Sequence, residues 1–243
     1  MKIIQISLLF IVSLGSASAD PFTVGGKVLE IPPPSGFYRV TPQMDVVYRL
    51  SLQMVDPMND QLAYYIAESA VPVAISGEMP SLERYFILKV NKRLKTMVVR
   101  SKYFSELKNI AKHKNKQIIK SIEAKIPGLM DKMSKGISEE YDVNFAMKLS
   151  QVVPLDPHYE TENAFAYSMY LNYGASVDGS KEDFIVSVTV TFVNVAGKIL
   201  FLYCDGPQEE LEWTRTASKA WAGMIMESNT QPPSRSARGG GAD

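Results

Sequence analysis

Four lysines, Lys108, Lys112, Lys116 and Lys120, repeat at every fourth position inside the most unevenly charged stretch of the chain. Between Lys89 and Lys125, twelve Lys or Arg stand against Glu106 and Glu123, a net charge of +10 in a protein of 243 residues whose total is zero. On a helix this spacing places the four ammonium groups in one shallow spiral row, and each like-charge pair costs roughly 0.2 to 0.5 kcal/mol. An anionic partner would offset that repulsion, whether lipid headgroups, acidic polysaccharide, nucleic acid or an acidic protein. A lysine-rich face that only solvates its helix needs no partner, and charge runs commonly do no more than that.

The remaining chemistry-bearing residues are sparse. His158 sits in Asp156-Pro157-His158-Tyr159-Glu160-Thr161-Glu162, which offers one imidazole and three carboxylates. A divalent metal needs ligands of fixed geometry, and no His pair at i, i+4 and no Cys cluster supplies them, so the stretch reads as a polar loop with no metal or cofactor. His113 falls among lysines on the polar side of its helix. Neither histidine lies near a G-x-S-x-G turn, so no hydrolase constellation stands out, and an exported hydrolase with a site near His158 is only an alternative. Cys204, the single cysteine, excludes an internal disulfide and follows the apolar run Ile199 to Tyr203, as a buried small hydrophobe would. Phe165, Tyr167, Tyr170 and Tyr173 occupy both faces of one predicted strand without interleaved basic residues, which argues against a nucleic-acid stacking platform. One face of that strand should pack in the core, with Tyr170 on the other.

The elements that must position these residues follow from periodicity. Lys27 to Ile31, Leu62 to Ala67 and Tyr85 to Val90 read as strands, Met44 to Met54 is ambiguous, and Pro72 to Pro80 reads as a loop. A helix is predicted from Ser101 to Lys125, with Phe104, Leu107, Ala111, Ile118 and Ile122 on its inner stripe and Pro127-Gly128 stopping it. Strands follow at Val143 to Val153, Ala164 to Tyr173, Phe184 to Val195 and Lys198 to Cys204, with hairpin turns at Asp178-Gly179 and Ala196-Gly197. The alternation from Phe184 to Phe192 sets an apolar face of Phe184, Val186, Val188, Val190 and Phe192. A helix from Pro207 to Ser228 closes the fold, with Leu211, Thr214, Ser218, Trp221 and Ile225 turned inward and Glu209, Glu210 and Glu212 in or near its first turn. The sum is an α+β fold, an antiparallel sheet of five or six strands flanked by at least two long helices in a layered sandwich.

This order of elements resembles the PsbP-like α/β/α sandwich family. The stretches that carry the likeness are Leu29-Glu30-Ile31-Pro32 with Gly36-Phe37, Val193 to Tyr203 with its Gly197-Lys198-Ile199-Leu200, and Glu212-Trp213. Residues 39 to 163 carry no matching motif. The resemblance implies a mostly non-enzymatic accessory role in an exported or lumenal setting, and it carries over no site residue, since fold does not fix function.

The ends of the chain bear on location. Lys2 precedes the apolar run Ile3 to Leu14, and Gly15 to Ala19 follows with Ala17 and Ala19 as an A-x-A pair, so residues 1–19 read as a cleavable signal peptide. The apolar run is shorter than the roughly 20 residues a bilayer core requires. Residues 20–229 are expected to form one domain and residues 230–243, rich in Pro, Ser, Arg and Gly, a disordered tail. The reading is of an exported, periplasmic or extracellular, non-enzymatic binding or accessory protein that docks an anionic surface or an envelope protein through Lys108, Lys112, Lys116 and Lys120. The alternative is a structural subunit that joins an envelope assembly by sheet-edge pairing. N-terminal sequencing of the exported protein should begin at Asp20, and an exported chain that still begins at Met1 would refute the cleavage.

Overall fold

The computed structural model describes residues 19–230 apart from 124 and 125, and the side chains of residues 114–125 lie outside that description. The expected signal peptide, save Ala19, and the expected tail, save Thr230, fall outside the described residues as well.

Strands β1 (Asp20–Val24) and β2 (Lys27–Ile31) form a separate antiparallel hairpin. The main sheet contains β3 (Phe37–Arg39), β4 (Asn59–Ala67), β5 (Tyr85–Asn91), β6 (Phe145–Pro154), β7 (Tyr159–Glu160), β8 (Ala164–Val177), β9 (Ser180–Val195) and β10 (Lys198–Pro207). Its order is β3-β4-β5-β10-β9-β8-β6, with β7 also beside β8, and every pairing is antiparallel. The meander from β8 to β10 is set by two tight turns in which Asp178 and Gly179, then Ala196 and Gly197, all take positive φ. That is the backbone a two-residue hairpin turn needs to match the twist of its strands.

Among the described residues five α-helices pack around the sheet: α1 (Asp45–Gln53), α2 (Val71–Ile75), α3 (Ser101–Glu123), α4 (Ile126–Tyr141) and α5 (Leu211–Thr230). On one sheet face, Leu29 and Ile31 of the hairpin and Trp221 and Ile225 of α5 meet Tyr65, Phe86, Leu88, Leu200, Leu202 and Cys204. Trp221 packs edge-on against Tyr65 and Phe86, and its indole Nε1 donates to the Pro32 carbonyl at 2.8 Å. On the other face, Val40, Met44, Val47 and Ala74 cover Tyr64, Ile66 and Ile87. A third cluster joins Val99 and Phe104, at the start of α3, to Ile199. Helix α4 buries Met130, Met133 and Ile137 and is tied to β6 by backbone N–H groups of Met147 and Phe145 that donate to Ser134 Oγ and Ser138 Oγ. It is tied to α1 by Arg49 and Glu140 at 2.5 Å and by the Tyr141 hydroxyl, which donates to the Val46 carbonyl.

The layered α+β sandwich is as the sequence predicts, with differences of detail. The sheet expected to have five or six strands has eight: β4, β5, β6, β8, β9 and β10 lie where strands were expected, Lys27–Ile31 belongs to the small hairpin instead, and β3 and β7 are too short to show a period. The segment Met44 to Met54 resolves into α1, and α2 lies where a loop was expected, its Pro72 in the first turn. Pro127-Gly128 opens α4 rather than only ending a helix, because Pro is tolerated in a first turn, where its missing N–H has no helical partner. Leu107, assigned to the inner stripe of α3, is 40% exposed instead. Replacing Trp221 by Ala should lower the unfolding free energy by about 3 to 5 kcal/mol, the usual cost of emptying a buried aromatic site. A urea midpoint close to that of the wild type would show that the α5 layer is not held there.

Candidate functional site

The predicted lysine row starts on a helix whose first turns are anchored to the body. Phe104 and Lys108 face inward one turn apart. Lys108 is only 7% exposed, and its Nζ donates to the Thr161 carbonyl at 2.6 Å and lies 3.2 Å from Glu160 Oε1. Lys112 pairs with the other oxygen of the same carboxylate. Hydrogen bonding from Lys112, then Lys108, holds the Glu160 carboxyl below its usual range. The acidic loop around His158 and the basic helix, two separate anomalies in the sequence, are therefore partners. Lys116 and Lys120 continue the same helix, and their side chains lie outside the described residues.

The surface that α3 does present is mixed. Tyr103, Leu107 and Ile110 are 57%, 40% and 49% exposed and fall at i, i+4 and i+7, on one flank of the helix. Met97 and Val98 are exposed just before the helix, in the stretch of sequence that also holds Arg93, Arg100 and Lys102. Among the described residues those three cations pair with no carboxylate, whereas Lys89 pairs with Asp56, and Lys92 and Lys95 with Asp60. Arg100 and Ser101 also line a hollow of about 470 Å³ with Val98, Asn194 and Asn229.

His158 is brought beside Ser168, a pairing the sequence does not suggest. Its Nδ1 is 3.5 Å from Ser168 Oγ, and Arg215 Nε donates to the same oxygen at 3.4 Å. Ser168 is fully buried and bonds Thr189, which in turn bonds Thr214 of α5. A nucleophile must reach substrate, and this hydroxyl has no path to solvent. No carboxylate is hydrogen-bonded to the imidazole among the described residues, so the orienting third member of a triad is missing. Burial, and then the Arg215 charge, push the His158 pKa down, which keeps the ring neutral and suits a packing role. His113 is exposed, with Nδ1 2.8 Å from the Asn109 carbonyl of its own helix. Cys204 is buried and free, and burial raises its thiol pKa, the opposite of a reactive thiolate. The described residues contain no cluster of three or more His, Cys, Asp or Glu able to hold a metal ion, and no helix long and apolar enough to cross a membrane.

Asp205 carries the feature that the sequence reading missed. It stands on β10 opposite Tyr85 of β5 and Val188 of β9, 7% exposed, on the sheet face that also carries Tyr203, Tyr64 and Tyr173. Its Oδ2 has no hydrogen-bond partner among the described residues. Burial raises the carboxyl to about 7, and the Tyr85 hydroxyl and Lys89 ammonium act against that shift. An acid flanked by glycine near the end of an apolar run gives no hint of this surrounding, because the four tyrosines come from four different strands.

No family model matches the chain, and no curated protein matches it. Among solved structures, the solution structure of cyanobacterial PsbP (CyanoP) from Synechocystis sp. PCC 6803 is similar at 11% identity, over 91% of this chain and 96% of that one, with a TM-score of 0.28. Similarity of that size assigns no site.

The titration of Asp205 gives a signed test. Below about pH 4 an ordinary aspartate begins to hold its proton in the unfolded chain too. Between there and about 7 the unfolded chain releases the proton while the folded one keeps it, so stability falls as pH rises through that window and levels off above it. Asp205→Asn has no proton to release and should lack this fall, a difference of a few kcal/mol at about 1.4 kcal/mol per unit. Urea midpoints at pH 4.5 and 7.5 for both proteins measure it, and parallel profiles would show that Asp205 is ionised in the fold.

Proposed function

We propose that this is an exported, non-enzymatic binding or accessory protein that docks an anionic partner, a charged surface or an envelope protein, through the basic region around α3. The observation that supports this most is that Tyr103, Leu107 and Ile110 are exposed on one flank of α3, on the helix that Arg93 and Arg100 precede and Lys102 opens, three cations with no carboxylate partner among the described residues. Exposed apolar side chains and unpaired cations in one stretch of chain suit an anionic counter-surface, to which charge gives long-range attraction and apolar area gives contact. Lys108 and Lys112 enter this reading differently from Lys116 and Lys120. The first two hold the helix in place through Glu160, so they contribute to docking by fixing the exposed side rather than by touching the partner.

A second reading is favoured by β6. It is a ten-residue edge strand that pairs with β8 on one side, and its alternate residues are exposed. Ser134 and Ser138 of α4 occupy its outer edge at Met147 and Phe145, so the stretch from Leu149 to Pro154 is the part left as a template for adding a strand from another chain, which is how a structural subunit would join an assembly.

Changing Arg93, Arg100, Lys102, Lys116 and Lys120 together to Gln, with Lys108 and Lys112 kept, should leave the melting temperature unchanged. The same change should cut retention by vesicles containing phosphatidylglycerol at least tenfold, and wild-type retention should itself fall between 50 and 500 mM salt as about 10 Å of Debye screening at 0.1 M shortens further. Equal retention of wild type and variant at every salt concentration would remove the basic region from the account and leave the β6 edge.

A further inference from the structure

We propose that the hollow of about 470 Å³ at the β9–β10 turn binds a sugar acid, a small carboxylate that carries neutral hydroxyl groups. Ala196 and Gly197 of the turn line it, and Val99 is pinned to the same place through both of its backbone groups. Its N–H donates to the Gly197 carbonyl at 2.8 Å, and its carbonyl accepts from Asn194 Nδ2 at 3.0 Å. That fixes where α3 begins. The Phe104 N–H donates to the Arg100 carbonyl at 3.0 Å, while the N–H groups of Ser101, Lys102 and Tyr103 have no backbone acceptor among the described residues. Arg100 and Ser101 both line the hollow, so it lies at the positive end of a 23-residue helix and beside a guanidinium with no carboxylate partner among the described residues. Lys198, the next residue after the turn, adds to this field. It is 3% exposed, and its ammonium donates to the Lys95 and Met97 carbonyls at 3.1 and 3.0 Å but pairs with no carboxylate among the described residues. A buried cation without a counter-charge is costly, and an anion in the adjoining hollow offsets part of that cost.

Charge alone would admit any anion, and Asn194 narrows the class. It lines the hollow and is 8% exposed. Because Nδ2 is given to Val99, the orientation of the amide is settled and Oδ1 is the atom left over, an acceptor with no donor among the described residues. Such an oxygen is unfavourable until a donor reaches it, so the ligand must bring an O–H or N–H as well as a negative charge. A hydroxyl suits better than an ammonium, since Arg100, Lys198 and the helix end already make the surroundings positive. Val99, which holds Asn194, and Ser101, where the free N–H groups begin, are two residues apart, up to about 7 Å of chain. A carboxylate with hydroxyls spread over several carbons spans such a distance, and its C–H face can rest on Val98, Val195 and Met226, which also line the hollow. Small-ligand sites run from roughly 300 to 1,000 Å³, so the volume admits a six-carbon ring. Asn229 is already committed to Glu30 and Ile225 and shapes the hollow without reading the ligand.

Binding here needs no contact between α3 and an anionic surface, so free small ligands test it apart from the vesicle experiment. Isothermal titration of the full-length mature chain at pH 7 with D-glucuronate should show saturable 1:1 binding. D-glucose, which lacks the charge, and acetate, which lacks the hydroxyls, should each bind at least tenfold more weakly. Arg100→Gln, a change at an exposed side chain, should keep the melting temperature and weaken D-glucuronate at least tenfold. Asn194→Asp places a negative charge at the acceptor and should abolish binding. If that variant does not fold, backbone amide shifts of the wild type supply the same test, and those moved by D-glucuronate should include Ser101 and Lys102. Absence of saturable binding, equal affinity for acetate or D-glucose, an unaffected Gln or Asp variant, or amide shifts confined to residues outside the hollow and the first turn of α3 would each overturn the proposal.

Discussion

The two central strands β9 and β10 have to be covered on both faces, and the contact on which that depends is Trp221 of α5. Its ring fills the space between Tyr65 and Phe86, and its indole N–H is bonded to Pro32, so one side chain joins the last helix, the rigid loop after the first hairpin and the middle of the sheet. A buried indole without an acceptor would forfeit roughly 1 to 3 kcal/mol, so the Pro32 carbonyl is as necessary to this arrangement as the ring contacts. The second tryptophan, Trp213, extends the same aromatic group to Phe37 and Phe86. With α5 fixed on one face, the other face of β9 and β10 is left to α1, α2, α4 and the start of α3. Asp205 with its surrounding tyrosines and the anchored start of α3 both belong to that face.

Under α5 the sheet is not apolar where alternation alone would have it so. Ser187, Thr189 and Thr191 form the polar side of the clearest strand pattern in the sequence, and all three are fully buried. They are satisfied by one another's neighbours: Thr189 with Ser168 and Thr214, Thr191 with Ser218, and Ser187 with the Gly206 and Pro207 carbonyls. A hydroxyl facing a hydroxyl across an interface keeps every donor paired, and β-branched Thr packs on a pleated surface nearly as Val does. Thr214 and Ser218 were legible as inward-facing residues of the last helix because they recur at helical spacing with Trp221 and Ile225. Their partners were not, since an alternating strand with one polar face reads as half-exposed whether water or a polar helix face covers it.

The same distinction separates the rest of the fold into what periodicity carries and what it does not. The hairpin turns were readable from two short dipeptides, because a tight turn restricts backbone conformation locally. Helix α4 was hidden because Met130, Met133 and Ile137 follow a Pro-Gly pair that ordinarily signals an ending. The lysine row was visible as a row, but its division was not: which ammonium is buried depends on Glu160 and the Thr161 carbonyl, more than forty residues away in sequence. The Asp205 surroundings are further still from any local signal. Tyr64, Tyr85, Tyr173 and Asp205 meet only because β5 and β10 pair in a register that sets Tyr85 opposite Asp205.

Lys108 shows why burial of a charge can determine a surface. An ammonium withdrawn from water without compensation costs several kcal/mol, so a lysine on a long helix normally turns outward. Here the carboxylate of Glu160 and the carbonyl of Thr161 receive it, and the contact is specific to one rotational setting of α3. Phe104, one turn earlier, is buried in the same setting. A helix with an inward Leu107 and an outward Lys108 would suit a binary pattern better. Rotating it to bury Leu107 would withdraw Lys108 from both acceptors and strand Glu160 as well, so the gain from one aliphatic side chain, roughly 1.5 to 3 kcal/mol, is opposed by the loss of a charged pair and its hydrogen bond. The apolar ridge of Tyr103, Leu107 and Ile110 is exposed because an ion pair outweighs it, and the outward face of α3 is thereby determined by the acidic loop on the neighbouring strand.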